Sequence, residues 1–375
     1  MNNIIDYVKW RGDLSFSASP FNEVDCSILC ELIYIKFNGV IFDKPITIKK
    51  AYSIMSDENA DEKIKNNFLS ANDERRELFE QISTSPRFKS MQLMYYHDVF
   101  NTENPEQFAA VTVKFDKNFY AVVFRGTDKT IVGLKEDFSI ILEWPVQAQL
   151  DSKAYLEFVA KKTKGKLIVA GHSKGGNLAM YACVNCQEKY KNQIDSVYNF
   201  DGPLTADKDS FDYKTMSSKI NTYVPQASIF GLLFDHQAEY NVVHSTEISG
   251  FIQHNIFSWE LDKTSFVRLK KAKNSGHIFD ETVRELYQSL TPEQLETFIE
   301  TLYDVLSSNN IATLYDLLPS SDTRFLPIFA AIRRLDPTSR RLMFDIVAEL
   351  FETSAKNIRD IKNSIQFKHW LNKDE

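Results

Sequence analysis

The most constraining feature of the sequence is a short glycine-rich segment that joins an apolar run to a helix-like one. Residues 166–179 read Lys-Leu-Ile-Val-Ala-Gly-His-Ser-Lys-Gly-Gly-Asn-Leu-Ala. The apolar run predicts a strand, and residues 177–190 predict a helix. A Gly-x-Ser-x-Gly turn between a strand and a helix projects its serine hydroxyl from the top of a sheet. Ser173 is therefore a candidate nucleophile, and a serine that only caps the helix is the alternative.

Strand and helix patterns alternate around this turn. Predicted strands cover 108–115, 119–124, 196–200, 220–224 and 240–243, with a hairpin turn at 116–118, and predicted helices cover 22–36, 72–83 and 147–162. This alternation predicts an α/β fold whose mostly parallel sheet is flanked by helices. From about residue 281 the pattern is entirely helical, so we expect a domain over 1–280 and a helical segment over 281–375.

Composition excludes several classes of function. The net charge of −7, from 44 basic and 51 acidic residues, argues against a general nucleic-acid-binding protein. No apolar run approaches the ~20 residues of a membrane span, and the N-terminus lacks a signal-peptide pattern, so we expect a cytoplasmic protein. The cysteines form two close pairs, Cys26 with Cys30 and Cys183 with Cys186. Both pairs fall on predicted helices, which favours buried thiols over a metal site, and no cofactor is expected.

A nucleophilic serine needs a base and an acid that orients the base. His254 is the leading base because apolar residues flank the Gln253-His254 pair, and His244 and His236 are the alternatives. Asp201 is a candidate acid because it follows a predicted strand, where active-site groups gather in open α/β sheets. Asp235, on a later loop, is an equal rival.

An oxyanion site needs two donors near the serine. The backbone N–H of Lys174 directly follows the nucleophile, and Thr127 follows the apolar strand that ends in Phe124-Arg125-Gly126. We expect the Lys174 side chain to point into solvent, with contact to an anionic substrate group as the alternative. The His172 side chain is expected to point away from the nucleophile.

These residues give the chain a family resemblance. Phe-Arg-Gly-Thr at 124–127, the acidic segment at 136–138 and Gly-His-Ser-x-Gly-Gly at 171–176 resemble the class 3 lipases. The chain more closely resembles the bacterial Mbeg-like family over roughly residues 1–280. The matching pieces are Asp6-Tyr7, Trp10-Arg11-Gly12-Asp13, residues 20–25, residues 172–179, Asn199-Phe200-Asp201-Gly202-Pro203, Gln253-His254 and Trp259. The resemblance implies an α/β-hydrolase fold and, by analogy, a hydrolase of lipid or other carboxylic esters.

Class 3 lipases carry an aspartate before a Val-Pro pair, but residues 219–225 contain no acid. A non-catalytic binding or regulatory protein is therefore the alternative to an esterase, and acyl transfer shares the esterase residues. We expect a small acyl-ester or lipid substrate, and transient contact with a membrane surface is compatible with it. The apolar segment 226–234 is interpreted as core, or as a lid or acyl pocket. A protein partner would bind through 281–375.

Overall fold

A computed structural model of the protein describes residues 2–42, 44–101, 106–127, 140, 145–204, 216–228, 230–231, 239–247, 250–272 and 291. Its helices are α1 (Ile4–Arg11), α2 (Glu23–Leu32), α3 (Ile48–Met55), α4 (Glu62–Leu69), α5 (Asp73–Thr84), α6 (Gln147–Lys162), α7 (Lys174–Asn185), α8 (Glu188–Lys191) and α9 (Gly250–Gln253). The predicted helical segment 281–375 lies outside the described residues, apart from residue 291.

The strands combine into one large sheet and one small hairpin. The strands are β1 (Ile46–Thr47), β2 (Gln92–Asn101), β3 (Glu106–Asp116), β4 (Phe119–Phe124), β5 (Lys166–His172), β6 (Ile194–Phe200), β7 (Ile220–Pro225), β8 (Tyr240–Val243), β9 (Leu261–Asp262), β10 (Ser265–Phe266) and β11 (Arg268–Leu269). In the described part of the chain the sheet order is β1-β2-β3-β4-β5-β6-β7-β8-β11, and β9 pairs with β10.

The centre of the sheet is parallel and its edges are antiparallel. Strands β4 to β8 pair in parallel with one another, as the alternating sequence pattern predicts. Strands β1 to β4 pair antiparallel on one side, and β8 pairs antiparallel with β11 on the other. The predicted hairpin between β3 and β4 is confirmed. The sheet is therefore that of an α/β-hydrolase fold. The carboxyl ends of its parallel central strands all lie on the same side of the sheet.

Both faces of the central strands are buried along most of their length, and the buried residues of β4 and the middle of β5 are apolar or glycine. Val122 and Phe124 pack with α6 and α7 on one face, whereas Ala121 and Val123 pack with the N-terminal helices on the other. This alternation follows from the two-residue period of a strand. The N-terminal helices thus form a full layer of the fold, on the face opposite the helices that connect β4, β5 and β6.

A buried ion pair fixes helix α2 in this layer. Arg87 Nε donates to Asp25 Oδ1 at 2.7 Å, and the Tyr7 hydroxyl donates to the same oxygen at 3.0 Å. The Arg87 guanidinium also donates to the carbonyls of Leu14 and Ser19. Because both charges are paired and hydrogen-bonded, their burial is compatible with a stable core. Helix α2 is therefore held firmly where its C-terminal end reaches the carboxyl edge of the sheet.

Candidate active site

Ser173 occupies a strained turn between β5 and α7. Its φ of 58° and ψ of −132° lie outside the regions that most residues adopt, at a cost of roughly 1–3 kcal/mol. A Cβ on Gly171 would lie 2.0 Å from the carbonyl carbon of Gly175, and a Cβ on Gly175 would lie 2.2 Å from the Phe124 carbonyl oxygen. Only glycine fits at either position. The two glycines therefore allow the backbones of β4, β5 and α7 to approach one another closely around the turn that carries Ser173. Its side chain is half-buried.

Asp201 follows β6, the strand next to the elbow strand. Its backbone also adopts a positive φ, 52°, and its N–H donates to the Tyr223 carbonyl at 2.8 Å. The carboxylate is fully buried. Its Oδ1 accepts hydrogen bonds from the Ser228 hydroxyl and from the Gly231 N–H, the latter at 3.1 Å. These donors fix the carboxylate and leave Oδ2 for another partner. The rival acid, Asp235, lies outside the described residues.

That partner is His254, which follows the short helix α9. His254 Nδ1 lies 2.7 Å from Asp201 Oδ2, and a carboxylate can only accept, so Nδ1 carries the proton. In the neutral ring Nε2 then holds the lone pair. The imidazole is 19% exposed, against 0% for the Asp201 side chain, so the pair points from the core toward solvent. The contact with Asp201 and the partial exposure make His254 an oriented candidate base at the carboxyl ends of the strands.

The loop of His254 is held by its neighbour Gln253. The Gln253 side chain accepts from the Ala227 N–H at 2.8 Å, and its backbone carbonyl accepts from Trp259 Nε1 at 2.7 Å. Both Gln253 and Trp259 are fully buried. The sequence singled out the Gln253-His254 pair and Trp259, and the structure shows that Gln253 and Trp259 anchor the histidine.

The other predicted bases do not join this constellation. His244 follows β8, and its Nδ1 lies 2.8 Å from Glu260 Oε2. Both side chains are about one-third exposed, at 37% and 35%. His236 lies outside the described residues. Of the histidines that the structure describes, His254 is the one that contacts Asp201.

Two rings flank the imidazole of His254. The Phe230 ring centroid lies 4.5 Å from it, so the apolar segment 226–234 contributes at least this residue to the site. The His172 ring centroid also lies 4.5 Å from it. The His172 side chain therefore lies against His254, a contact that the sequence did not predict. Residues 229 and 232–234 lie outside the described residues.

The loop after β4 lies against Ser173, the candidate nucleophile. A Cβ on Gly126 would lie 3.1 Å from Ser173 Cβ and 2.5 Å from the His172 carbonyl oxygen, so this loop can approach only through a glycine. Thr127 follows and is half-buried. Lys174 opens α7, so its backbone N–H lies at the positive end of a helix. The acidic segment 136–138 lies outside the described residues.

The prediction that the Lys174 side chain points into solvent is wrong. It is 1% exposed, and Nζ donates to the Gln107 carbonyl at 2.6 Å instead of reaching solvent or the substrate side of the turn. The physical reason is that Lys174 begins a helix packed on the sheet, and β3 offers a carbonyl within reach of the long side chain. The sequence gives no local signal for this contact because it joins positions far apart.

Several other features bear on the class of site. The four cysteines are buried free thiols. Within the described ranges, no group of three or more His, Cys, Asp or Glu side chains is placed to hold a metal ion. Nor does any helix in these ranges have the length and apolar character needed to cross a bilayer.

Several solved structures resemble this chain weakly. The Rhizomucor miehei lipase propeptide complex shares 18% identity over 41% of this chain and 57% of its own, with a TM-score of 0.32. The lipase from Rhizopus microsporus var. chinensis shares 16% identity over 54% of this chain and 74% of its own, with a TM-score of 0.34. M37 lipase shares 15% identity over 81% of this chain and 96% of its own, also with a TM-score of 0.34. The chain thus spans less than two thirds of the Rhizomucor miehei chain. Identities and TM-scores this low say nothing about the activity of this protein.

No curated protein matches the sequence significantly. A protein-family model does match it, over residues 82–304, which is more than half of the chain. The matched segment contains the elbow at Ser173, the candidate acid Asp201 and the candidate base His254. The model describes the Mbeg1-like proteins, the family that the sequence motifs predict. The chain belongs to the Mbeg1-like family.

Proposed function

We propose that this protein is a serine hydrolase that cleaves carboxylic esters of lipid or other acyl substrates. Ser173 would be the nucleophile, His254 the base and Asp201 the residue that orients the base. The observation that carries the proposal is the 2.7 Å contact between His254 Nδ1 and Asp201 Oδ2, together with the packing of the His254 ring on His172, which directly precedes a serine held at a strained elbow. A buried acid, a partly exposed imidazole and a serine on a sharp turn are the parts that acyl transfer requires.

In the proposed reaction the Ser173 hydroxyl attacks the ester carbonyl, and its proton passes to His254 Nε2. The negative charge on the tetrahedral oxygen is stabilised by the Lys174 N–H and by Thr127. The intermediate collapses, and the leaving alcohol takes the proton from His254. Water then attacks the acyl-enzyme and gives a proton to His254. The bond between the acyl group and Ser173 breaks, His254 returns the proton to the serine oxygen, and the acid product leaves. Asp201 stays ionised and stabilises the imidazolium.

The surroundings of the base favour an apolar acyl group. Phe230 lies against His254, and the segment that contains it is mostly apolar. A cytoplasmic location, with substrate reached in solution or by transient contact with a membrane surface, belongs to the same proposal. So does a role for residues 281–375 in binding a protein partner.

The proposal is tested with p-nitrophenyl esters of increasing acyl length. We expect the purified protein to hydrolyse at least one of them, and Ser173→Ala to lose activity by a factor on the order of 10³ or more. Ser56→Ala is the matched control, because this exposed serine lies at the end of α3 and far from the site in sequence. Hydrolysis by Ser173→Ala at the rate of the unaltered protein would exclude Ser173 as nucleophile. A folded protein that hydrolyses no ester would favour the non-catalytic binding protein.

A further inference from the structure

His172 makes two contacts with the proposed base. Its ring lies 4.5 Å from the His254 ring, centroid to centroid, with 35° between the planes. Its Nε2 lies 2.8 Å from the His254 carbonyl oxygen. A carbonyl cannot donate, so His172 Nε2 carries a proton and donates it. His172 therefore touches both the ring and the backbone of the base.

The second nitrogen of His172 defines its charge state. Nδ1 lies 3.0 Å from the Tyr34 hydroxyl, just beyond α2. In a neutral ring with Nε2 protonated, Nδ1 is an acceptor, so the Tyr34 hydroxyl donates to it. Burial lowers the pKa of His172 well below its ordinary value, and the nearby His254 and Arg75 lower it further. The hydrogen bond to the His254 carbonyl raises the pKa but does not outweigh burial.

Helices α2 and α5 provide the remaining partners. Glu31 Oε1 lies 3.4 Å from His172 Nδ1, and Arg75 Nε donates to Glu31 Oε2 at 2.9 Å. The Arg75 guanidinium also lies over the Tyr34 ring, 3.8 Å from its centroid. Glu31 is fully buried and Tyr34 half-buried. Burial raises the pKa of Glu31, whereas its ion pair with Arg75 lowers it, and both effects oppose an unpaired negative charge beside His172.

These partners come from a part of the chain that the family model does not match. Glu31, Tyr34 and Arg75 all precede residue 82, where the match begins. A Cβ on Gly126 would meet the Tyr34 hydroxyl at 2.2 Å and Ser173 Cβ at 3.1 Å, so Tyr34 reaches the immediate surroundings of the nucleophile. The N-terminal layer thus contacts the site itself as well as the sheet.

We propose that His172 is a positioning residue for His254, a neutral imidazole that holds the base against the elbow and is itself held by the hydroxyl of Tyr34, whose ring lies against Arg75. This inference rests on the proposed function. A second positive charge beside His254 would oppose the imidazolium that forms when Ser173 gives up its proton. A neutral donor keeps the base in place without that repulsion.

Substitutions at His172 separate the hydrogen bond from the ring contact. Gln places an N–H near the position of Nε2, Asn places one nearer Nδ1, and Phe keeps the ring without a donor. The readout is the rate constant with which a fluorophosphonate labels Ser173. The amplitude of the labelling reaction reports the fraction of folded protein. A loss of folding therefore lowers the amplitude, whereas a misplaced base lowers the rate constant.

We expect His172→Phe to lower the labelling rate constant by about 10- to 100-fold, and His172→Gln by less than about 10-fold. His172→Asn should resemble Phe, because its donor does not reach the His254 carbonyl. Tyr34→Phe removes only one hydroxyl and keeps the ring that Arg75 covers. This variant should lower the labelling rate constant by about 3- to 10-fold. It tests the same hydrogen-bond chain if the His172 variants do not fold.

Nitrogen NMR of histidine-labelled protein tests the charge state without using activity. We expect His172, assigned by comparison with His172→Gln, to carry its proton on Nε2 and to remain neutral below its ordinary titration range. Titration in the ordinary range, or a proton on Nδ1, would overturn the proposal. So would labelling rate constants that are unchanged in the His172 variants. If the unaltered protein is not labelled at Ser173, the proposed function fails instead, which is a distinct result.

Discussion

His254 Nδ1 donates a hydrogen bond to Asp201 Oδ2 across 2.7 Å, although the two residues lie 53 positions apart in the chain. The bond depends on two separate anchors. Ser228 and Gly231 hold the Asp201 carboxylate, and the buried Gln253 holds the loop of His254. Because each anchor lies on a different element, this contact reports the correct assembly of the whole carboxyl edge of the sheet.

Asp201→Asn should remove most of the activity while the fold is kept. An amide carries no negative charge to stabilise the imidazolium, and its NH₂ group can face Nδ1 and favour the wrong tautomer, so we expect ester hydrolysis to fall by about 10³- to 10⁴-fold. The measurement is kcat for the best p-nitrophenyl ester. Asp235→Asn is the matched control and should change kcat by less than about 2-fold. A larger loss in Asp235→Asn than in Asp201→Asn would reverse the assignment of the acid.

Gly171→Ala should prevent stable folding. The added Cβ would meet Gly175 backbone at 2.0 Å, where no flexible side chain can move aside. We expect a loss of more than about 4 kcal/mol in the free energy of unfolding, measured by urea denaturation. Gly39→Ala is the comparison: its φ is 82°, but the nearest atom lies 3.5 Å away on a side chain, so about 1–2 kcal/mol is expected. Equal losses would contradict the close-packed elbow.

Lys174→Met tests the unexpected burial of this side chain. Met keeps most of the length but removes the donor to the Gln107 carbonyl, so we expect a loss of about 1–3 kcal/mol in the free energy of unfolding. Lys166→Met is the control, because this exposed lysine should contribute less than about 0.5 kcal/mol. A Lys174→Met variant as stable as the Lys166 control would show that the buried contact contributes little.

The lowered pKa of His172 predicts a pH-dependent stability. The unfolded chain binds a proton at this residue below about pH 6.5, but the folded protein does not until a lower pH. The unfolded state is therefore favoured as pH falls through this window, by up to about 1.4 kcal/mol per pH unit.

His172→Gln cannot titrate and should lack this contribution. The check is urea denaturation of both proteins at about pH 7.5 and about pH 5.5, where the stability of the unaltered protein should fall more. Parallel losses in the two proteins would mean that the pKa of His172 is not lowered by folding.

Much of the fold follows from local patterns. The predicted helix at 147–162 matches α6, and the predicted strands at 119–124 and 240–243 match β4 and β8. The predicted helix after the elbow ends earlier than expected, at Asn185, with α8 as a separate short helix. Strand β2 was not predicted. A bulge between Met94 and His97, with Tyr95 at φ 55°, breaks its two-residue period, so the pattern does not mark it.

The site divides in the same way between local and long-range information. Ser173 is marked by its own neighbours, because the elbow is a local motif. The choice of Asp201 as partner of His254, and the contact of Glu31 with His172, depend on tertiary packing that joins distant positions. Neither the length of a spacing nor the type of a residue distinguishes Asp201 from Asp235, so both stayed open on the sequence alone.

The most direct test of the account is fluorophosphonate labelling followed by peptide mass mapping. We expect modification at Ser173 in the unaltered protein and in His244→Gln, whose histidine pairs with Glu260 away from Asp201. In folded His254→Gln the modification should fall by about 10³-fold, because the serine has lost its base. No modification of Ser173 in folded protein, or equal modification in His254→Gln, would contradict the assignment of this site as a serine hydrolase.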